Sequence, residues 1–335
     1  MSVVIALSTF AGEAAHAQRL KATVAIGGSS SQIALLAMNV ARSKGFIKDE
    51  GLDLQTTDFG SGSKGLQALV GRNADLAIGV HEHTLVMQAK GVDIRSIVNF
   101  SNAPGIVVAV TKAFAPKYNS IKDLKGAKIG ISAPGSSTQL LLNQLLVQNG
   151  LKPDEVSVVG VGNAAGAVAA IRTGGELQAI INFDPVISEL EQSGDVKAVL
   201  DLRSLEATKD FYKRDFTFLA VYSSADYIQK NPEVCQALVT GIVKALKWMQ
   251  TASSEEILAV IPEEYWKANR TVYLASIEKN RAGFSRDGRF TAEGTKTLYE
   301  GLMTYDKDVQ AAKIDLSRTY DNRFVEQALA KLAKK

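Results

Sequence analysis

The chain has 335 residues, of which 46% are hydrophobic and 22% are charged, and its formal net charge at pH 7 is +3. A chain of this length usually forms two domains. Lysine and arginine are scattered, so the concentrated basic stripe that is typical of nucleic-acid binding is missing. The single cysteine, Cys235, excludes an intrachain disulfide and a thiolate metal site. We therefore expect a soluble two-domain protein that binds no nucleic acid.

The first residues have features of an export signal. A short apolar run is followed by Ala15-His16-Ala17, the small-x-small pattern that signal peptidase reads. The run is preceded by no Lys or Arg, and Glu13 lies near the cleavage point, so a misplaced start codon or a short cytoplasmic leader are alternatives. We predict a cleaved signal peptide over residues 1–17 and a periplasmic location.

Strands and helices then alternate along the chain. The patterns predict strands at 22–27, 52–60, 74–80, 93–101 and 105–112, with helices at 29–46, 63–73 and 83–91. The alternation restarts after residue 113 and continues to the strand at 177–183 and a β-rich run at 215–224. Helices are then predicted at 233–251, 255–260, 264–280, 291–307 and 322–334. This order favours an α/β fold with parallel sheets and crossover helices.

We divide the chain into two α/β lobes. The first lobe is predicted to be discontinuous, 18–112 plus 219–335, because the C-terminal helices have nothing to enclose alone and should pack on it. The second lobe is predicted over 113–218.

Polar loops rich in Gly and Ser follow the predicted carboxyl ends of strands in both lobes. Ligands bind at this edge of open α/β sheets, and helix N-termini there favour anions. Any one of these loops alone is more simply a helix cap or a turn, but their recurrence favours one cleft. The residues that we predict to bind a ligand are Gly28, Ser29, Ser30, Ser31, Gln32, Ser61, Ser63, His81, Glu82, Ser132, Gly135, Ser136, Ser137, Thr138, Asn163, Asn182 and Asp184.

Some of these residues have two interpretations. His81 and His83 point to different faces of a helix and lack a third ligand, so we predict no metal site. The segment from His81 to His83 is either a polar pocket wall or a surface turn. Asp184 either receives a ligand amine or caps the next helix. No nucleophile elbow, P-loop or dinucleotide fingerprint occurs, so we predict neither catalytic residues nor a cofactor.

Several segments resemble one family. They are GGSSSQ, ARSKGFIKDEGLDLQ, GSGSKGLQALVGRNADLAIG and KDLKGAKIGISAPGSSTQLLLNQLLVQNGLKPDEV. Together they resemble periplasmic solute-binding proteins of the nitrate/sulfonate/taurine class, also called NMT1/THI5-like. The resemblance implies a type II periplasmic-binding-protein fold with hinge strands near 107–112 and 216–222. It also implies ligand capture by lobe closure and delivery to the membrane permease of an ABC importer. We expect a monomer.

The resemblance does not identify the ligand. Family members that take strongly acidic ligands often place Arg, Lys or Trp in these loops, whereas Lys64 is the only base beside them here. We expect a small polar or anionic ligand: a sulfonate such as taurine, nitrate, an aromatic carboxylate or a pyrimidine-like compound. The alternative is an enzyme on the same fold, either of the menaquinone pathway or pyrimidine-forming and THI5-like. The latter needs a Cys/His-rich iron-binding motif, which a chain with Cys235 alone lacks. A regulatory sensor domain is a third possibility.

Overall fold

A computed structural model describes residues 19–174 and 176–334. The predicted signal peptide at 1–17 lies outside the described residues. Within the described chain the strands form two five-stranded sheets, each from a different part of the sequence. The first sheet has the order β2-β1-β3-β10-β4, with β1 at Leu20–Ile26, β2 at Leu52–Asp58, β3 at Leu76–Val80, β4 at Ile94–Asn99 and β10 at Leu219–Ser224.

The second sheet repeats this arrangement in the order β7-β6-β8-β5-β9. Its strands are β5 at Ile106–Thr111, β6 at Lys128–Ile131, β7 at Ser157–Gly160, β8 at Ala179–Phe183 and β9 at Val196–Asp201. The strands β3 and β8 are buried along their whole length, as expected for sheets that are covered on both faces.

Each sheet contains one antiparallel strand, β10 in the first and β5 in the second. The sheets that the alternation predicts to be parallel are therefore mixed, with one antiparallel strand each. Each of these strands is the first one after the chain crosses over from the other lobe. It runs in the direction opposite to the other strands of its sheet.

The crossings correct the predicted lobe boundary and hinges. The strand Ile106–Thr111 pairs with β8 and β9, so it lies in the second sheet and not, as predicted, in a first lobe that ends at Lys112. The two crossing segments, 100–105 and 202–218, run beside each other: Phe218 N donates to Ser101 O at 2.9 Å. The apolar pattern of a strand does not show which sheet the strand will join, and this explains why the lobe boundary was predicted wrongly.

The helices agree with the predicted pattern in outline. The predicted helix at 29–46 begins only at Leu36, and the one at 291–307 ends at Leu302. The elements α6, α7, α8 and β9 were not predicted. The helices are α1 Leu36–Ser43, α2 Gly62–Val70, α3 Glu82–Ala89, α4 Ser137–Gln148, α5 Ala165–Gly174, α6 Val186–Gln192, α7 Leu205–Tyr212, α8 Ala225–Lys230, α9 Pro232–Thr251, α10 Ser254–Val260, α11 Arg270–Asn280, α12 Ala292–Leu302, α13 Lys307–Ala311 and α14 Arg323–Ala333.

The C-terminal helices pack mainly, but not only, on the first sheet. The long helix α9 lies against β1, β2 and β4, and α14 packs on α9. In contrast, α11 and α12 also contact α6 and α4 of the second lobe. Asn280 Nδ2, at the end of α11, donates to Asp184 Oδ2 at 2.9 Å. The helical tail therefore bridges the two lobes, which corrects its predicted packing on the first lobe alone.

Among the described helices, none combines the length and the apolar composition that crossing a membrane requires.

Candidate ligand-binding site

A cavity lies between the two lobes at the carboxyl ends of the central strands. It contains about 390 Å³ of atom-free space, of which about 20 Å³ admits the centre of a water molecule, room for one or two waters. None of the lining side chains is charged. They are Gly27, Gln32, Ala34, Leu35, Gly62, Ile78, Gly79, Val80, Ser132, Ser137, Asn163, Phe183 and Leu219.

The first lobe contributes two glycine-containing loops to this cavity. A Cβ atom on Gly27 would lie 2.5 Å from Ile78 O and 2.8 Å from Gly62 Cα, so only glycine lets the backbones approach this closely. Ser61 caps α2, since its hydroxyl accepts from Lys64 N at 3.4 Å. Gly62, the first residue of α2, is thereby held at the cavity wall.

The second lobe contributes the start of α4. Three hydroxyls behind it bond to one another: Ser132 Oγ lies 2.6 Å from Ser136 Oγ and 3.0 Å from Thr138 Oγ1. They hold the loop in shape and have little capacity left for a ligand. Ser137, the first residue of the helix, lines the cavity together with Ser132 and is not part of this hydroxyl cluster. The positive end of a helix dipole and a serine hydroxyl therefore face the same space, an arrangement that suits an anion or a polar acceptor.

Asn163 has an unpartnered side-chain oxygen. The residue is only 4% exposed, and its Oδ1 accepts no hydrogen bond from the described part of the chain. Its Nδ2 would lie 3.3 Å from a Cβ atom placed on Gly28, so it meets the first lobe across the cleft. A buried acceptor without a partner costs about 1–3 kcal/mol, and a donor group on a ligand would remove that cost.

The lobes are in contact on both sides of the cavity. Ile33 N in the first lobe donates to Asp184 O in the second at 3.2 Å. On the other side, a Cβ atom on Gly135 would lie 3.7 Å from Ser63 Cβ. This is a closed arrangement, in which a ligand in the cavity would be shielded from solvent.

A profile of the family described as NMT1/THI5 like matches residues 32–255. The chain belongs to this family. A solved structure of a protein from Bordetella bronchiseptica RB50 is 41% identical, covers 94% of this chain and 99% of its own, and has a TM-score of 0.90.

Other similar structures show the fold of this NMT1/THI5-like protein. The alkanesulfonate-binding protein SsuA from Xanthomonas axonopodis pv. citri is 18% identical with a TM-score of 0.67, covering 93% of this chain and 98% of that one. The nitrate-binding protein NrtA from Synechocystis PCC 6803 is 16% identical with a TM-score of 0.70, covering 94% and 89%. The fold is therefore that of periplasmic binding proteins, with two α/β lobes, as predicted.

Two kinds of curated relatives are similar in sequence. YtlA of Bacillus subtilis (strain 168), a proposed binding protein, is 25% identical over 72% of this chain and 70% of its own. The 4-amino-5-hydroxymethyl-2-methylpyrimidine phosphate synthase THI12 of Saccharomyces cerevisiae is 24% identical over 63% of this chain and 62% of its own.

In this NMT1/THI5-like protein, His83 lies at the cleft, although it is not among the residues predicted to bind a ligand. Its Nδ1 lies 2.9 Å from the Tyr222 hydroxyl, and its fully buried Nε2 has no partner in the described structure. Its ring is packed against Gly62, where a Cβ atom would lie 3.2 Å from Cε1, and it faces the backbone of Gly135 in the other lobe. Burial lowers the pKa of His83 to about 4, so the ring is neutral at pH 7. In the sequence, the position of His83 at the start of a helix that follows a buried strand could have indicated that it lies at the cleft.

His81 points away from the cavity, contrary to prediction. Its Nδ1 lies 2.9 Å from Ser96 Oγ, and its Nε2 lies 3.2 Å from Thr295 Oγ1 in α12. The ring also packs on Phe290, with 4.8 Å between centroids. Burial lowers the pKa of His81 to about 3. Both nitrogens are occupied, so this side chain fastens the helical tail to the first sheet.

Asp184 and Asn182 also have no free group for a ligand. Asp184 accepts from Ser188 N at 2.9 Å, which caps α6, and it forms a buried ion pair with Arg203 at 3.3 Å. The capping interpretation is therefore the one that the contacts support. Asn182 donates to Gly162 O at 2.9 Å and accepts from Phe183 N at 2.9 Å.

The other predicted residues divide into lining and supporting positions. Glu82 lines a neighbouring cavity, and Ser137 lines both. Ser30 is bonded to Asp58 at 2.6 Å, which fixes its loop. The predicted residues that line the interlobe cavity are Gln32, Ser132, Ser137 and Asn163. Those that lie in its loops without lining it are Gly28, Ser29, Ser30, Ser31, Ser61, Ser63, Gly135, Ser136 and Thr138.

Proposed function

We propose that this protein is the extracytoplasmic solute-binding component of an ABC importer. It would hold a small polar or anionic ligand between its lobes and present it to the membrane permease. The observation that carries this proposal is the closed cavity between two lobes, with the unpartnered Asn163 Oδ1 and the start of α4 at its wall. The alkanesulfonate-binding and nitrate-binding names of the similar structures are consistent with it.

The lining chemistry restricts the ligand that we propose. Because no lining residue is charged, a multiply charged ligand would lose its hydration without gaining a counterion. A singly charged or neutral ligand can be held by backbone N–H groups, the Ser137 hydroxyl and Asn163. We therefore favour nitrate, simple carboxylates, sulfonates including taurine, and pyrimidine-like compounds. Because the closed cavity has room for one or two waters, the larger of these ligands would hold the lobes further apart than they are here.

The proposal also includes the location of the protein in the cell and the residue boundaries of its two lobes. Export through the predicted signal at 1–17, a periplasmic location and a monomeric state would suit a protein that delivers a solute to a permease. The pairing of the strands supports a first lobe built around residues 20–99 and 219–334, and a second built around 106–201.

Binding without turnover is the function that we favour over an enzyme of the THI5 type. The residues that line the interlobe cavity include no Asp, Glu, His, Lys or Cys, although His83 lies beside the cavity and Glu82 lines the neighbouring one. The single thiol, Cys235, is buried in α9, and burial raises its pKa to about 12. The pyrimidine synthases remain the second candidate because they are among the curated relatives.

A thermal-shift panel tests the proposed function. The mature protein is melted with alkanesulfonates, taurine, nitrate, aromatic carboxylates and pyrimidine precursors. A compound at 100 times its Kd should add about 2.7 kcal/mol to the free energy of unfolding. Bound compound should be recovered unchanged by mass spectrometry. Product formation would contradict the binding role, and a panel without any stabilising compound would contradict the ligand range.

A pair of neighbouring serine variants then locates the site. Ser137→Ala should weaken binding several-fold, because its hydroxyl lines the cavity. Ser136→Ala should leave affinity nearly unchanged and reduce stability by about 1 kcal/mol, because its hydroxyl donates to Ala133 O at 2.7 Å. Equal affinities for both variants would remove the start of α4 from the site.

A further inference from the structure

Beside the ligand cavity lies a second cavity, also at the junction of the lobes. It contains about 380 Å³ of atom-free space, of which about 20 Å³ admits the centre of a water molecule. Ser137, the first residue of α4, is a lining residue of both cavities, so the two spaces adjoin this residue. The second cavity is lined by one acidic residue, Glu82, by aromatic and aliphatic side chains, and by the polar residues Gln144 and Thr297. The aromatic side chains are Tyr212, Phe216, Phe218 and Tyr305.

The carboxyl group of Glu82 is incompletely satisfied. The residue is only 8% exposed, and its Oε2 receives no hydrogen bond from any described residue. No Lys, Arg or His is among the lining residues of this cavity. The backbone N–H of Glu82 itself contacts the carboxyl, but Oε2 is left without a donor. The ionised form of this buried group is therefore costly unless a cation is supplied.

The aromatic walls narrow the chemistry of that partner. Tyr212 stacks on Phe216 with 4.2 Å between ring centroids, and Phe216 stacks on Phe218 at 6.1 Å. Aromatic rings that line a cavity together with a carboxylate can receive an ammonium group. The space for one or two waters fits a primary ammonium rather than a bulky quaternary one.

We propose that the cavity at Glu82 is an amine subsite, in which the carboxylate and the aromatic walls receive a primary ammonium group of the ligand. The ligand's polar or anionic head would lie at Ser137 and Asn163 in the neighbouring cavity. This inference rests on the proposed solute-binding function, and it restricts the ligand to a short molecule that carries both groups. Glu82 is then the residue that selects for the amine.

The protonation of Glu82 supports this assignment. Burial raises its pKa to about 8, so the group is mainly neutral at pH 7 when no cation is present. The titratable side chains that face it from packed elements are Tyr212 of α7 and Tyr305, the latter next to Asp306. An ammonium would supply the missing counter-charge, and the carboxyl would lose its proton on binding.

The test uses two pairs of compounds that differ only by the ammonium group: taurine with ethanesulfonate, and 3-aminopropanoate with propanoate. In calorimetric titration of the wild-type protein, the amine compound of at least one pair should bind at least about tenfold more tightly than the compound of that pair without the ammonium group. Below pH 8 its affinity should rise about tenfold per pH unit, because Glu82 must lose a proton. The amine preference and the pH dependence should both disappear in Glu82→Gln, which retains the shape of the side chain.

The possible outcomes separate this inference from the proposed function. Equal binding within a pair by the wild-type protein overturns the amine subsite and leaves the solute-binding function intact. The same holds if none of the four compounds binds while another compound of the panel does. If nothing in the panel binds, the amine subsite and the proposed ligand range both fail. Should Glu82→Gln not fold, the wild-type pH dependence decides alone: an affinity independent of pH between 6 and 8 overturns the subsite.

Discussion

Two groups of polar side chains lie at the junction of the lobes, and they differ in how many of their polar atoms have hydrogen-bond partners. Around Arg203 the guanidinium pairs with Asp184, Asp201 and Glu191, and Asn280 donates to Asp184 as well. Around the cavities, Asn163 Oδ1, His83 Nε2 and Glu82 Oε2 have no partner in the described structure. The first group contributes to holding the closed lobes together, whereas the second consists of atoms that, under the proposed function, a ligand would contact.

The largest effect should come from breaking the satisfied group. Replacing Arg203 by methionine leaves the fully buried Asp184 without its cation, so unfolding should become easier by about 3–5 kcal/mol. Chemical denaturation measures this loss. Arg172→Met is the matched control, because Arg172 also pairs with two carboxylates but its side chain is 41% exposed. The control should lose less than about 1 kcal/mol, and equal losses would contradict the distinction.

A pH-dependent effect is expected next, from Glu82. Its pKa is about 8 in the folded protein and near 4.5 when unfolded, so between these values the unfolded chain has released a proton that the folded one retains. Raising the pH from 6 to 8 should therefore destabilise the wild type relative to Glu82→Gln by about 1.4 kcal/mol per pH unit.

Denaturation of both proteins across this range gives the comparison. The variant cancels the contributions of all other titrating groups, since these are the same in both chains. A stability difference that does not change with pH would show that Glu82 is ionised in the folded state and has found a partner.

The smallest effect should come from one unsatisfied atom. Asn163→Ala removes the acceptor that faces the cavity and should weaken ligand binding about tenfold, with little loss of stability, because no internal hydrogen bond of Oδ1 is broken. Asn149→Ala is a control in the same lobe, since its amide donates to Leu145 O at 2.8 Å. The control should lose stability and retain affinity. Unchanged binding by Asn163→Ala would place the ligand elsewhere.

Much of the fold and part of the candidate site could be predicted from the sequence. Strand and helix periodicity placed most elements, and the Gly/Ser loops at strand ends located the cleft. Periodicity did not show that Ile106–Thr111 belongs to the second sheet, because pairing partners are chosen by long-range contacts. It also missed the short elements between Val186 and Tyr212.

Side-chain roles were less predictable than loop positions. His81, Glu82 and His83 are neighbours in sequence, yet the structure directs them to the helical tail, the second cavity and the cleft, respectively. Asp184 is of a residue type that often contacts ligands. Its partner Arg203, however, is nineteen residues away in the chain, and the two side chains come together only in the folded protein. Whether a polar group is satisfied internally depends on such contacts, which no local pattern encodes.

The central claim is that a solute completes the unsatisfied atoms between the closed lobes. A crystal structure of the protein with a stabilising compound from the panel tests it most directly. We predict closed lobes with the compound within hydrogen-bonding distance of Asn163 and Ser137, and with any amine directed to Glu82. Closed lobes that contain only water, with the compound bound elsewhere on the surface, would contradict the account.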